Sequence, residues 1–96
     1  MSALRLTLAR LYAARASASL RLTGADVAVA YLYDVAAQHA WAAYTSADNA
    51  MRRAIDTDGA MVLCTDAGAK LAIRSVHAIN LATDYTAMAA RVRECI

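Results

Sequence analysis

No proline interrupts this 96-residue chain. At an average usage of about 5% a chain of this length would hold roughly five. Proline removes a backbone donor and clashes with the preceding helical turn, so its complete absence favours long, unbroken helices. Only three glycines are present, Gly24, Gly59 and Gly68. The β-branched residues are scattered, and no alternating run persists long enough to suggest a strand. The expected class is all-α: a three-helix, mostly antiparallel bundle or helical hairpin with a shorter N-terminal helix.

The breaks fall where turn-forming residues cluster. The first helix is predicted from about Ser2 to Leu22, with Leu4, Leu8, Leu11, Tyr12 and Leu22 on one side and Arg10 and Arg21 on another. Thr23-Gly24-Ala25-Asp26 then reads as a stop followed by a new start. Thr23 would cap the next helix and Asp26 would return the hydrogen bond, as in a capping box with Asp in place of Glu. A lone glycine costs only about 1 kcal/mol in a helix, so fusion of the first two helices through Gly24 is the alternative. The second helix is predicted from about Gly24 to Asp56, with a candidate kink near Ser46–Asn49. Its polar positions Asp34, Gln38, Thr45, Asp48 and Arg52 form a narrow stripe, and Asp48 and Arg52 are spaced to pair. Asp56-Thr57-Asp58-Gly59 is the clearest turn. Thr57 or Asp58 would cap a third helix running from about Ala60 towards Cys95, with Asp66, Lys70, Arg74, His77, Asp84 and Arg91 on its polar side.

Length and composition fit a single alanine-rich domain over residues 1–96. The apolar fraction is 60%, above the roughly 45–50% usual for a soluble domain, and much of the excess is alanine. Alanine favours helix strongly yet buries little. With no phenylalanine and few other large apolar residues, a thin core is expected, and thin cores gain area from a neighbour. A chain of this size is marginal alone unless it packs well or assembles.

The best-ordered pattern lies on the third helix. Gly68, Ser75, Ala82 and Ala89 recur every seven residues, with Ala72 and Thr86 beside them. Small residues in such a row let two helix backbones approach closely, and the seven-residue period is heptad-like. These six positions are candidate helix-contact residues. Trp41 joins them because it lies on the otherwise polar stripe of the second helix, and tryptophan is favoured at interfaces. His39, flanked at helical spacing by Val35, Ala36, Ala42 and Ala43, is a core or interface histidine held by one hydrogen bond.

Charge is unevenly placed. Residues 1–22 carry Arg5, Arg10, Arg15 and Arg21 and no acid, a local charge of +4 against −2 for the remainder. Such asymmetry marks a candidate targeting or docking segment. Met1 to Tyr12 is amphipathic and rich in Arg, Leu and Ala. It resembles a mitochondrial presequence, and Arg10-Leu11-Tyr12 followed by Ala13 resembles the Arg-x-Tyr cleavage context of such segments. The bland alternative is an ordinary basic first helix of a bacterial protein. Ala13 stands where the last residue of the Leu-Tyr-Arg signature of small mitochondrial assembly factors would be, so that family is not indicated.

Chemistry is hard to place on this chain. A di-iron bundle needs paired Glu-x-x-His motifs, and the chain has one glutamate, Glu94. A zinc site needs about four ligands at recurring spacing. Aligning Gly59 to the glycine of a calcium loop puts Ala54 and Thr65 where carboxylates should stand. No phosphate loop, dinucleotide fingerprint or nucleophile elbow occurs. Cys64 and Cys95 form neither a metal motif nor, if one helix spans both at 1.5 Å per residue and so sets them about 46 Å apart, a disulfide. Arg5, Arg10 and Arg15 are five apart and spread around their helix, and the pI of 8.7 is below that of typical nucleic-acid modules. Windows Ala25–Tyr44 and Ala60–Ala82 carry too many charged and polar residues to span a membrane.

The sequence is therefore expected to encode a non-catalytic helical structural or interaction subunit. It would need no cofactor or metal, bind no nucleic acid, span no membrane itself, and meet other protein helices in a homo- or hetero-oligomer. A mitochondrial accessory subunit and a self-assembling bacterial or phage protein are the two forms this takes, in a mitochondrion or a bacterial cytoplasm respectively.

Overall fold

A computed structural model describes residues 2–96. Three long helices, and no strand among the described residues, make the protein all-α: α1 over Ser2–Thr23, α2 over Val27–Asp58 and α3 over Asp66–Glu94, with a short 3-10 turn over Ala60–Cys64 before the last. The first helix has 22 residues against 32 and 29 for the others. At 1.5 Å per residue α2 is about 48 Å long. That length sets the long axis of a molecule measuring 50 × 20 × 15 Å. Its radius of gyration, 15.8 Å, exceeds the roughly 12.5 Å of a compact domain of this size.

Each break has a local cause. Gly24 sits at φ +78°, a conformation that favours glycine, and its N–H closes on the carbonyl of Leu20 at 3.0 Å to end α1. The two helices are thus separate, and fusion through Gly24 does not occur. The cap of α2 is Asp26, not Thr23. Oδ1 of Asp26 accepts from the Val29 N–H at 2.8 Å, satisfying a free donor of the first turn. Thr23 instead ends α1 with its hydroxyl donating to the Ser19 carbonyl at 2.8 Å. A carboxylate also complements the positive end of the helix dipole, which a threonine cannot do.

Helix α2 continues without interruption through Ser46–Asn49 to Gly59, which takes φ +82° and donates to the Ile55 carbonyl at 2.8 Å. The third helix then starts later than residue spacing suggests. Ala60–Cys64 form a 3-10 turn, and the cap is Thr65, neither Thr57 nor Asp58. Its Oγ1 accepts from the Gly68 N–H at 3.1 Å and donates to the Val62 carbonyl at 2.6 Å. One hydroxyl therefore joins the turn to the helix. Asp66 at the start and Arg91 and Arg93 at the end match the dipole of α3.

The interior is built of methyl groups. One cluster joins Leu6, Ala43 and Ala78, a second Ala9, Ala40 and Ala82, and a third Ala16, Val29, Ala30, Tyr33, Ala89 and Val92. Every cluster takes residues from all three helices. Along the molecule the numbers rise in α1 and α3 and fall in α2. Asp34 and Arg93, paired across α2 and α3, fall at the same end as Val29 and Val92. Valine 29 is the largest side chain that is fully buried.

The side of α1 that the leucine spacing marks is a real side of the helix, yet it is not the side the fold buries. Leu6, Ala9 and Ala16 face inward, with Ala13 and Leu20 partly buried. The stripes of α2 and α3 do lie outward: Gln38, Thr45, Arg52, Lys70, His77, Asp84 and Arg91 are exposed.

Two substitutions check this inverted arrangement. Ala40→Leu forces a larger side chain into a layer one methyl thick and should cost about 1–3 kcal/mol. Leu11→Ala removes a larger group from the exposed side and should stay within about 0.5 kcal/mol. Urea denaturation giving the reverse order would refute the core described here. A β-carbon at Gly68 would overlap the carbonyl of Val62. Gly68→Ala should therefore lower the thermal midpoint, although alanine in a helix ordinarily gains about 1 kcal/mol over glycine.

Candidate interaction surface

The expelled leucines gather on one line. Leu4 and Leu11 are 58% and 57% exposed and Leu22 is 85% exposed, while Leu8 and Tyr12 are half-buried. Between them Leu8, Leu11, Tyr12 and Arg15 surround a shallow open depression of about 280 Å³. All four come from α1, so the depression is a feature of that helix's own outer surface.

Arginines lie on and beside this line. Arg5 donates to Nδ1 of His39 at 3.0 Å. A guanidinium has no acceptor, so the lone pair lies on Nδ1 of the imidazole. His39 also stacks on Tyr12, with ring centroids 5.5 Å apart and planes 16° from parallel. Arg10 bonds to Nε2 of His77. Both histidines therefore tie α1 to its neighbours, His39 on α2 and His77 on α3. Arg15 and Arg21 are exposed and have no hydrogen bond or ion pair among the described residues.

The other candidates from the sequence divide between inside and outside. Gly68, Ser75, Ala82 and Ala89 are buried and Ala72 is half-buried. The contacts of Ala82 and Ala89 are with α1 and α2 of the same chain, and Gly68 lies against the backbone of the 3-10 turn. Thr86 is exposed, with its hydroxyl turned back to the Ala82 carbonyl at 2.8 Å. Trp41 is 42% exposed and meets Tyr44 edge-on at 6.1 Å.

Spacing did not single out the outer line of α1 as a surface. The signal that identifies it is indirect. Alanines seven apart at 9 and 16, 36 and 43, 40 and 47, and 82 and 89 claim the interior of all three helices, which leaves the leucines of α1 outside.

Among the described residues no group of three or more His, Cys, Asp or Glu is placed to hold a metal ion, and no helix is long and apolar enough to cross a membrane. Cys64 and Cys95 are both exposed free thiols. Asp48 pairs with Arg52 at 2.9 Å. No family model matches the chain, and no curated protein or solved structure matches it either.

Tyr85, packed against two of the core clusters, has a perturbed titration. Burial pushes its hydroxyl pKa above the usual 10.0, and Asp84 and Tyr33 act in the same direction while Arg10 opposes them. A raised pKa means that the folded protein holds this proton more tightly than the unfolded chain. The associated stability is complete below the unfolded value and is lost as pH rises through the folded one. Tyr85→Phe should therefore flatten the decline in thermal midpoint above pH 10. An unchanged alkaline decline would place its origin elsewhere.

Proposed function

We propose that the protein is a non-catalytic structural or interaction subunit, a three-helix antiparallel bundle with a shorter first helix, that packs against other protein helices in a larger intracellular assembly. The opposed numbering of the core layers supports the antiparallel arrangement. The observation that carries the functional reading is the inversion of side-chain size. Alanines fill the interior while Leu4, Leu11, Leu22, Tyr31, Ile73 and Val76 are exposed. Large apolar groups held in water cost about 25 cal/mol for each Å² left uncovered, and a methyl-filled core has little stability to spare. Contact with another helix relieves both. Trp41, on the outer side of α2, is a further candidate contact.

A mitochondrial accessory subunit is one form of this reading, supported by the arginine-bearing, acid-free α1. Leu6, Ala9 and Ala16 belong to the core, so removal of α1 after import would take away one wall of the fold. A chain lacking residues 1–22 should accordingly lose its cooperative thermal transition.

The mass of the native species tests the proposal. In gentle extracts the chain should elute well above its 10.2 kDa. The double variant Leu4→Ser/Leu11→Ser should elute as a monomer with unchanged helical circular dichroism. A wild-type chain that is monomeric both pure and in extract would overturn the reading. Concentration-dependent association of the pure protein would identify the partner as further copies of the chain.

A further inference from the structure

The outer face of α1 has a more specific shape than an exposed apolar patch. Residues 4, 8, 11, 15, 18 and 22 follow one another at alternating intervals of four and three, the spacing of the contact positions in a heptad. They are Leu4, Leu8, Leu11, Arg15, Ala18 and Leu22, a stripe about 27 Å long at 1.5 Å per residue. The depression on that stripe is bounded by Leu8, Leu11, Tyr12 and Arg15, residues related as i, i+3, i+4 and i+7. Four residues in that relation form the hole that receives one side chain of a facing helix in knobs-into-holes packing. The hole stands open in this chain because both neighbours of α1 lie on its opposite side.

Charge narrows the occupant. In heptad terms Arg15 occupies a contact position, while Arg5 and Arg21 hold the flanking positions on either side. No acid occurs before Asp26. A second α1 is a poor match: placed antiparallel with stripe on stripe, it would set Arg15 against Leu11 with no acid in reach, and placed parallel it would set Arg15 on Arg15. A lipid surface is also a poor match, because Arg15 sits in the middle of the leucines, where acyl chains would strip its water without supplying a partner. A carboxylate on a facing helix supplies one through charge-assisted hydrogen bonds.

Resting on the interaction-subunit reading, we propose that the outer face of α1 docks one acidic amphipathic helix of a partner protein. An apolar side chain of that helix enters the hole formed by Leu8, Leu11, Tyr12 and Arg15. Its Asp or Glu side chains meet Arg5, Arg15 and Arg21.

The full-length protein can be titrated with two synthetic helices that share leucines at the contact positions and differ only in flanking glutamates or lysines. Vesicles of phosphatidylcholine with phosphatidylserine provide a third probe. The glutamate peptide should bind, more weakly as salt rises, and the lysine peptide and vesicles should not. Leu11→Ser and Arg15→Glu should each weaken the glutamate peptide by about tenfold, the loss of one interface anchor, and Arg15→Glu should improve the lysine peptide. Arg91→Glu makes the same charge change on α3 and should leave binding unaltered. Circular dichroism of each variant checks that the fold persists. Equal weakening by Arg91→Glu, binding to vesicles but not peptide, or self-association abolished by Leu11→Ser would each overturn the proposal. If the native chain stays in a large complex that Leu11→Ser leaves intact, this docking site falls while the interaction-subunit reading stands. A native monomer would remove that reading itself.

Discussion

Where Ala9, Ala40 and Ala82 meet, α2 packs closely against each of the other two helices, and all three residues have no exposed surface. Helices packed through such small groups approach to the short end of the usual range of about 8–10 Å between axes. At that distance little room remains beside Ala40 for a large side chain, and Leu81 and Tyr85 pack at the edge of the layer. The rest of the molecule follows from this constraint: the clusters stay small, the shape stays long and thin, and the sizeable apolar residues of α1 turn away from the interior.

Close approach has its own energetic character. Each alanine contributes one buried methyl group, on the scale of about 0.8 kcal/mol per carbon, and loses no side-chain freedom in doing so. Cohesion therefore depends on backbone proximity repeated along the helices, with contributions from Leu6, Val29, Tyr33 and Val92 where the layers widen. It also depends on the helix ends being held in place. Asp26 and Thr65 cap the two helices that α1 and the turn lead into, and Gly24 and Gly59 supply the positive backbone angles the reversals require. A fold cohering through such thin layers is sensitive to any added volume inside and indifferent to much of its outside.

This also explains which parts of the architecture were legible in the residues. The absence of proline and the two turn clusters located three helices to within a few positions. The polar stripes of α2 and α3 fell outward as spacing indicated, because each of those helices has one charged side. The small-residue row of α3 was visible for the same reason. Helix α1 was ambiguous because it is apolar on two opposite sides, leucine on one and mostly alanine on the other. Ordinary hydrophobicity ranks the leucine side as the one to bury, and only the alanine rows of the other helices, read together, reverse that ranking. Boundaries failed where side-chain chemistry decides among neighbours: Asp26 over Thr23, and Thr65 over Thr57 or Asp58. The 3-10 turn over Ala60–Cys64 carries an apolar sequence that reads equally well as the start of a helix.

The electrostatics of α1 complete the picture. An arginine held by a carboxylate loses much of its outward field, and the Asp48–Arg52 and Asp34–Arg93 pairs both do this on other helices. The polar contacts from α1 to its neighbours are different in kind. Arg5 and Arg10 bond to imidazole nitrogens, which orient the guanidinium groups without cancelling their charge. The helix is thus fixed in position while its positive potential stays directed at solvent, alongside the leucines that the methyl-thick core has excluded. Geometry forces the apolar stripe outward, and the choice of histidine over carboxylate keeps that stripe cationic. Together they give α1 a surface whose best complement is an apolar stripe with acids at its edges and within reach of Arg15.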